Sequence, residues 1–106
     1  MTAFVFYQKR GRMTGFTLSG HSTADAADLD GRLICAAVSS AAYMAANTVT
    51  DVLKTRADAS EGDAEMKLGL LEDDDRASAV LEGLLLHIRK LSEQYPKNLT
   101  FSVKEI

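Results

Sequence analysis

A chain with a single cysteine and two histidines has few routes to covalent chemistry, and here His21 and Cys35 fall within one stretch, with Gly31 between them. Cys35 follows Gly31 at the beginning of an alanine-rich helical pattern. Its sulfur is therefore expected near the unsatisfied backbone N–H groups of a helix N-terminus, where a thiolate is favoured over a thiol. His21 follows the apolar run Phe16-Thr17-Leu18, where a strand should end and a loop return towards that helix. A lone cysteine is more often a small core residue, and a lone histidine a loop residue accepting a hydrogen bond. Position sets this pair apart, and it reads as a nucleophile and its base. Cys35 would attack a carbonyl, and His21 would take up its proton and later deliver one to the leaving amine. Helix-start N–H groups, that of Cys35 included, would hold the oxyanion. Asp25, Asp28 and Asp30 lie in the right loop to orient the imidazole; nothing in the sequence chooses among them, and a dyad suffices for the chemistry.

The bulk composition bounds what can surround such a pair. At 106 residues with 46% apolar content, residues 1–106 form one domain with a real core. Twelve basic and 15 acidic side chains leave a formal net charge of −3, which excludes the electrostatic footprint of a direct nucleic-acid binder. One cysteine excludes an internal disulfide framework and a cysteine-rich zinc site, and is compatible with a reducing cytoplasm. Met1-Thr2-Ala3-Phe4 has no basic region before an apolar core, so no signal peptide is expected. The run Leu33 to Met44 is broken by Ser39 and Ser40 and is too short and alanine-rich for a bilayer span, so no membrane partner is expected.

The elements that must position the pair follow from periodicity. Phe4-Val5-Phe6-Tyr7 reads as a strand, Lys9-Arg10-Gly11-Arg12 as a turn, and Met13 to Ser19 as its hairpin partner. Ser22 to Gly31 is small, acidic and aperiodic, and is assigned to a loop. From Arg32 to Leu53 the set Ile34, Ala37, Val38, Ala41, Ala45, Val49 and Val52 recurs at steps of three and four and predicts the central helix. Cys35, Ser39, Ala42 and Ala46 fall on its neighbouring face. Thr55 to Ser60 is a weak strand candidate, Glu61-Gly62-Asp63 a turn, and Met66, Leu68 and Leu70 alternate in a better strand. Asp73-Asp74-Asp75 lacks the spacing of a calcium loop and reads as the cap of a second helix, so no metal site is assigned. That helix has the stripe Ala77, Val80, Leu81, Leu84, Ile88, Leu91 and Tyr95 and stops at Pro96; His87, beside Leu84 and Leu86, is a surface or interface residue. Leu99, Phe101 and Val103 mark a last strand. The order β-β-α-β-β-α-β implies an α+β fold, a mixed or antiparallel sheet with two helices packed on one face. Leu85, Leu86 and Ile88 add apolar surface beyond one sheet face, from which a homodimer is expected.

Gly20-His21 closing a second strand, a glycine before Cys35-Ala36-Ala37-Val38-Ser39 on a helix, and a late Glu93-Gln94-Tyr95-Pro96 together resemble the ribosomal-processing cysteine protease Prp family. The likeness covers essentially the whole chain. It implies a small cytoplasmic α+β homodimer, needing no cofactor, that removes a short N-terminal extension from a large-subunit ribosomal protein. It also implies His21 and Cys35 in the catalytic positions, with Gly20, Ser22, Gly31 and Ser39 along the substrate groove and a mobile cover between His21 and Cys35. The chain departs from the family at Ser22-Thr23-Ala24, where Ala-Gly-Tyr is usual, and at Arg32, where an aspartate is usual; an arginine there favours a nearby thiolate by charge. Two further readings stay open on the sequence: a catalytically silent relative that binds a ribosomal protein or peptide, and an unrelated dimerisation module with an inert cysteine.

Overall fold

The computed structural model of the chain describes residues 1–20 and 29–106. In order they form β1 (Thr2–Lys9), β2 (Arg12–Ser19), α1 (Leu29–Asn47), a π-helical turn (Thr48–Val52), β3 (Ala57–Gly62), β4 (Glu65–Leu70), α2 (Asp75–Gln94) and β5 (Leu99–Glu105). The five strands make one sheet in the order β3-β4-β2-β1-β5. It is mixed, since β5 lies parallel to β1 while the other neighbours are antiparallel. The α+β architecture expected from the sequence is the one observed.

Alternation in the strands decides which face is covered. Phe4 stands opposite Leu18 and Phe6 opposite Phe16, and these in turn stand opposite Met66 and Leu68, so all six side chains share one face. All are buried. The Phe4 and Phe6 rings stack with centroids 5.4 Å apart, and Phe16 tilts against Phe6 at 6.3 Å. Each such ring stabilises the fold by about 1.5–3 kcal/mol relative to exposure.

Against this aromatic row α1 buries Ile34, Val38, Ala42, Ala45 and Val49. The steps are four, four, three and four residues, an unbroken 3.6-residue stripe. Two positions expected in the stripe are outside it: Ala37 is exposed and Val52 is 73% exposed. Ala42, assigned by the sequence to the neighbouring face, takes a core place instead. The helix also begins earlier than expected, since Leu29, Asp30 and Gly31 are helical rather than loop. At its far end the helix widens into the π turn, with Leu53 N–H donating to the Thr48 carbonyl at 2.9 Å, a five-residue reach. Thr48 and Thr50 hydroxyls donate to the carbonyls of Met44 and Ala46, at 2.7 and 3.1 Å. Such back-bonding from the threonine side chains loosens the regular ladder. Leu29 to Val52 is thereby one continuous helical run, long and apolar enough by length and composition to cross a bilayer. One stripe of it packs against the sheet, while Leu33, Met44 and Val52 are exposed.

On α2 the buried residues are Ala77, Ser78, Leu81, Leu84 and Ile88. Ser78 is a polar member the periodicity did not supply; its hydroxyl accepts from the Met13 backbone N–H at 2.9 Å. The aspartate triplet caps this helix, as expected. Asp74 accepts from the Arg76 N–H at 2.9 Å and is held also by the Arg76 guanidinium at 3.0 Å and the Thr55 hydroxyl at 2.7 Å. Those donors, the Arg76 side chain first and Thr55 second, hold its carboxyl far below the usual carboxylate range.

A folded-state value below the unfolded one of about 3.9 means that Asp74 contributes stability above about pH 4 and loses it as the solution becomes more acid. Asp74→Asn keeps a capping oxygen and removes the charge. It should lower the urea midpoint at pH 7, and the gap from the wild type should narrow progressively as the pH falls below about 4.

Candidate active site

Cys35, Ser39 and Tyr43 each come one residue after a buried member of the α1 stripe, Ile34, Val38 and Ala42. One residue is a turn of about 100° around a helix, so the three form a column beside the core seam. Cys35 and Ser39 are half-buried and Tyr43 is 46% exposed. This column walls a cavity of about 170 Å³. Leu18 and Met66 supply its apolar floor from the sheet, Thr2 lies at the start of β1, and the β3–β4 hairpin provides the opposite rim through Glu61, Gly62, Ala64 and Glu65.

The rim is fixed by short-range geometry. Gly20 closes β2 with φ +88°, a left-handed conformation that favours glycine. A Cβ there would overlap the Met1 carbonyl oxygen. Its N–H donates to the Ala64 carbonyl at 3.0 Å, joining the end of β2 to the turn of the hairpin. Ala64 itself has φ +60°, the strained position in the two-residue connection between Gly62 and Glu65. Across the cavity the Tyr43 hydroxyl donates to Glu61 Oε2. That bond, and then the negative charge of Glu61, raises the Tyr43 phenol above its ordinary value of 10.0.

The structure places the expected site residues unequally. Cys35, Ser39 and Gly20 line one cavity. Gly31 is buried in the first described turn of α1, outside that lining. His21, Ser22, Asp25 and Asp28, and the cover expected between His21 and Cys35, lie outside the described residues. One expectation needs correction. With α1 already helical from Leu29, Cys35 lies well inside the helix, where its N–H faces the carbonyl of Gly31 rather than standing free for an oxyanion. Asp30 is exposed in the first described turn. Thr2, Tyr43, Glu61 and Glu65 are site residues the sequence reading missed. Tyr43 could have been found, being four residues beyond Ser39 and eight beyond Cys35. The glutamates come from the hairpin, whose pairing with β2 no local pattern announces.

A larger concavity of about 630 Å³ runs over the helix-free face of the sheet, past Tyr7, Thr17 and Lys67. It is not lined by Cys35.

The sequence matches the family described as cysteine protease Prp over residues 1–100. A comparison with curated proteins gives no match. Among solved structures, SMU.848 from Streptococcus mutans is 24% identical with a TM-score of 0.82, covering 100% of this chain and 96% of that one. The essential ribosomal processing protease Prp from S. aureus is similar in two complexes, at 19% identity in both, covering 98% of this chain and 100% of that one. With a covalently linked product peptide the TM-score is 0.86, and with a substrate peptide 0.87.

The tie across the cavity has a spectroscopic consequence. In an alkaline titration followed by phenolate absorbance, one tyrosine should ionise late, above the ordinary value of about 10. In Glu61→Gln, which removes the negative charge, that late step should move to lower pH.

Proposed function

The chain belongs to the cysteine protease Prp family, and we propose that it is the endopeptidase that removes a short N-terminal extension from a large-subunit ribosomal protein in the cytoplasm. Cys35 is the nucleophile and His21 its general base and acid. The observation that carries this reading is the placement of Cys35: half-buried on the helix face beside the core seam, its side of α1 forms the wall of a cavity at the end of the sheet. A structural cysteine would belong to the stripe itself, with Ile34 and Val38. Gly20, the residue before His21, lines the same cavity. The neighbouring S. aureus Prp complexes, one with a substrate peptide and one with a covalently linked product peptide, support a peptide as the ligand.

In the proposed reaction His21 accepts the thiol proton as Cys35 sulfur bonds to the scissile carbonyl carbon. The tetrahedral intermediate collapses with cleavage of the C–N bond, and the proton on His21 passes to the leaving amine. Water, deprotonated by His21, then attacks the thioester; the carboxylic acid leaves and the thiol is restored. Ser39, one helical turn along the same wall, is available to hydrogen-bond the substrate backbone.

The protein should cleave a peptide spanning the processing site of such a ribosomal protein. Cys35→Ala and His21→Ala should each lower kcat by at least about 10³-fold. Equal cleavage by Cys35→Ala, measured by mass spectrometry of the products, would reject the assignment.

Assembly as a homodimer belongs to the same reading. Of the α2 residues first invoked for it, Ile88 is wholly buried and Leu85 half-buried, leaving Leu86 at 42% exposure. Helix α1 contributes more, with Leu33 at 59% and Met44 at 63%. Light scattering at micromolar concentration should give twice the mass of the 106-residue chain, and Leu33→Glu with Met44→Glu should shift it towards a monomer. A monomeric wild type would contradict the dimer.

A further inference from the structure

The cavity beside Cys35 is chemically one-sided. Its floor, Leu18 and Met66, is apolar; among the described residues the only ionised groups that line it are Glu61 and Glu65, and no cationic side chain does. Glu65 is engaged outside the cavity, its carboxylate 3.3 Å from the Lys67 ammonium. Glu61 is held by the Tyr43 hydroxyl, a neutral donor that fixes the carboxylate and leaves its charge in place. A second polar group beside the cavity is spare. Thr2 lies on the inward side of β1 and is 1% exposed, and its hydroxyl oxygen has no hydrogen-bond partner among the described residues. It lines the same cavity. A buried hydroxyl without a partner is costly, and its presence beside a cavity marks a place for a ligand's polar group.

Resting on the peptidase reading above, we propose that this cavity is a subsite for a lysine or arginine side chain of the substrate peptide, and that Glu61 selects its charge. The match is one of chemistry and size. At about 170 Å³ the cavity falls below the range of sites for whole small-molecule ligands and suits a single side chain. Lysine and arginine combine an aliphatic stem, which packs on Leu18 and Met66, with a head that only donates hydrogen bonds. Glu61 only accepts, and the Thr2 oxygen also accepts. An acidic side chain would meet like charge from both rim glutamates, and a neutral apolar one would leave the Glu61 charge without a partner. Tyr43 acts here as a positioning residue, setting the carboxylate at the mouth.

The test uses processing-site peptides in which each residue flanking the scissile bond is replaced in turn by lysine, norleucine or glutamate. Two readouts are taken: kcat/KM with the wild type, and affinity for Cys35→Ala by fluorescence anisotropy, which needs no turnover. At one position lysine should exceed norleucine by about ten-fold in both readouts. Glu61→Gln should reduce that ratio to within about two-fold, and Glu61→Lys should reverse it in favour of glutamate. Cleavage that is indifferent to charge at every position, or a lysine preference that survives Glu61→Gln, overturns the subsite and leaves the peptidase standing. Charge-dependent binding lost in Glu61→Gln, without cleavage, supports the subsite and overturns the peptidase. Absence of both cleavage and binding counts against both.

Discussion

The seating of α1 on the aromatic face of the sheet is the constraint from which the rest of the site follows. A helix that buries Ile34, Val38, Ala42, Ala45 and Val49 has one rotational setting against Phe4, Phe6 and Phe16. Once it is set, the residues next along the chain have no freedom in where they face. Cys35, Ser39 and Tyr43 are those residues. Cys35 accordingly shares a cavity with Leu18 and Met66 of the sheet rather than standing out on a solvated ridge. Packing and chemistry are thus two faces of one helix, about 100° apart.

The opposite rim is assembled differently. It rests on a hairpin whose outer strand, β3, is almost wholly exposed, and so on backbone bonds and one side-chain tether instead of burial. The Gly20–Ala64 hydrogen bond fixes the hairpin turn to the end of β2, and the Tyr43–Glu61 bond fixes its outer strand to α1. Both are made at the surface, where a bond is worth little alone and competes with water. A cavity with one rigid wall and one lightly tied wall can widen at small cost, while the thiol stays where the core puts it.

Much of this was legible in the sequence because the relevant signals are local. Phe4/Phe6 and Phe16/Leu18 alternate as a covered sheet requires, the Ile34–Val49 repeat has the helical period, Asp74 is a capping residue followed by a helical stripe, and Pro96 ends that stripe. The errors also have physical causes. The start of α1 was taken for loop because Leu29 and Asp30 are exposed and add nothing to the apolar period; this is why Cys35 was expected at a helix end it does not occupy. Ala37 and Ala42 were exchanged between faces because alanine is equally at home on either. Strand β3 was placed two residues early, since Ala57–Gly62 is an exposed edge with no alternation to fix its limits. The Glu61 and Thr2 walls were out of reach, because they depend on which strands become neighbours, a long-range outcome that no window of sequence contains.

One feature of the sheet bears on how the molecule comes into being. Strand β1 is an interior one, with β2 on one side and β5 on the other, paired in parallel from Thr2 with Leu99 to Gln8 with Glu105. Contacts between strands so far apart in sequence are slow to form, since closing a loop of that length costs entropy before any pairing is gained. During synthesis β1 therefore waits, one hydrogen-bonding edge open, until β5 has emerged, and only then can the sheet close.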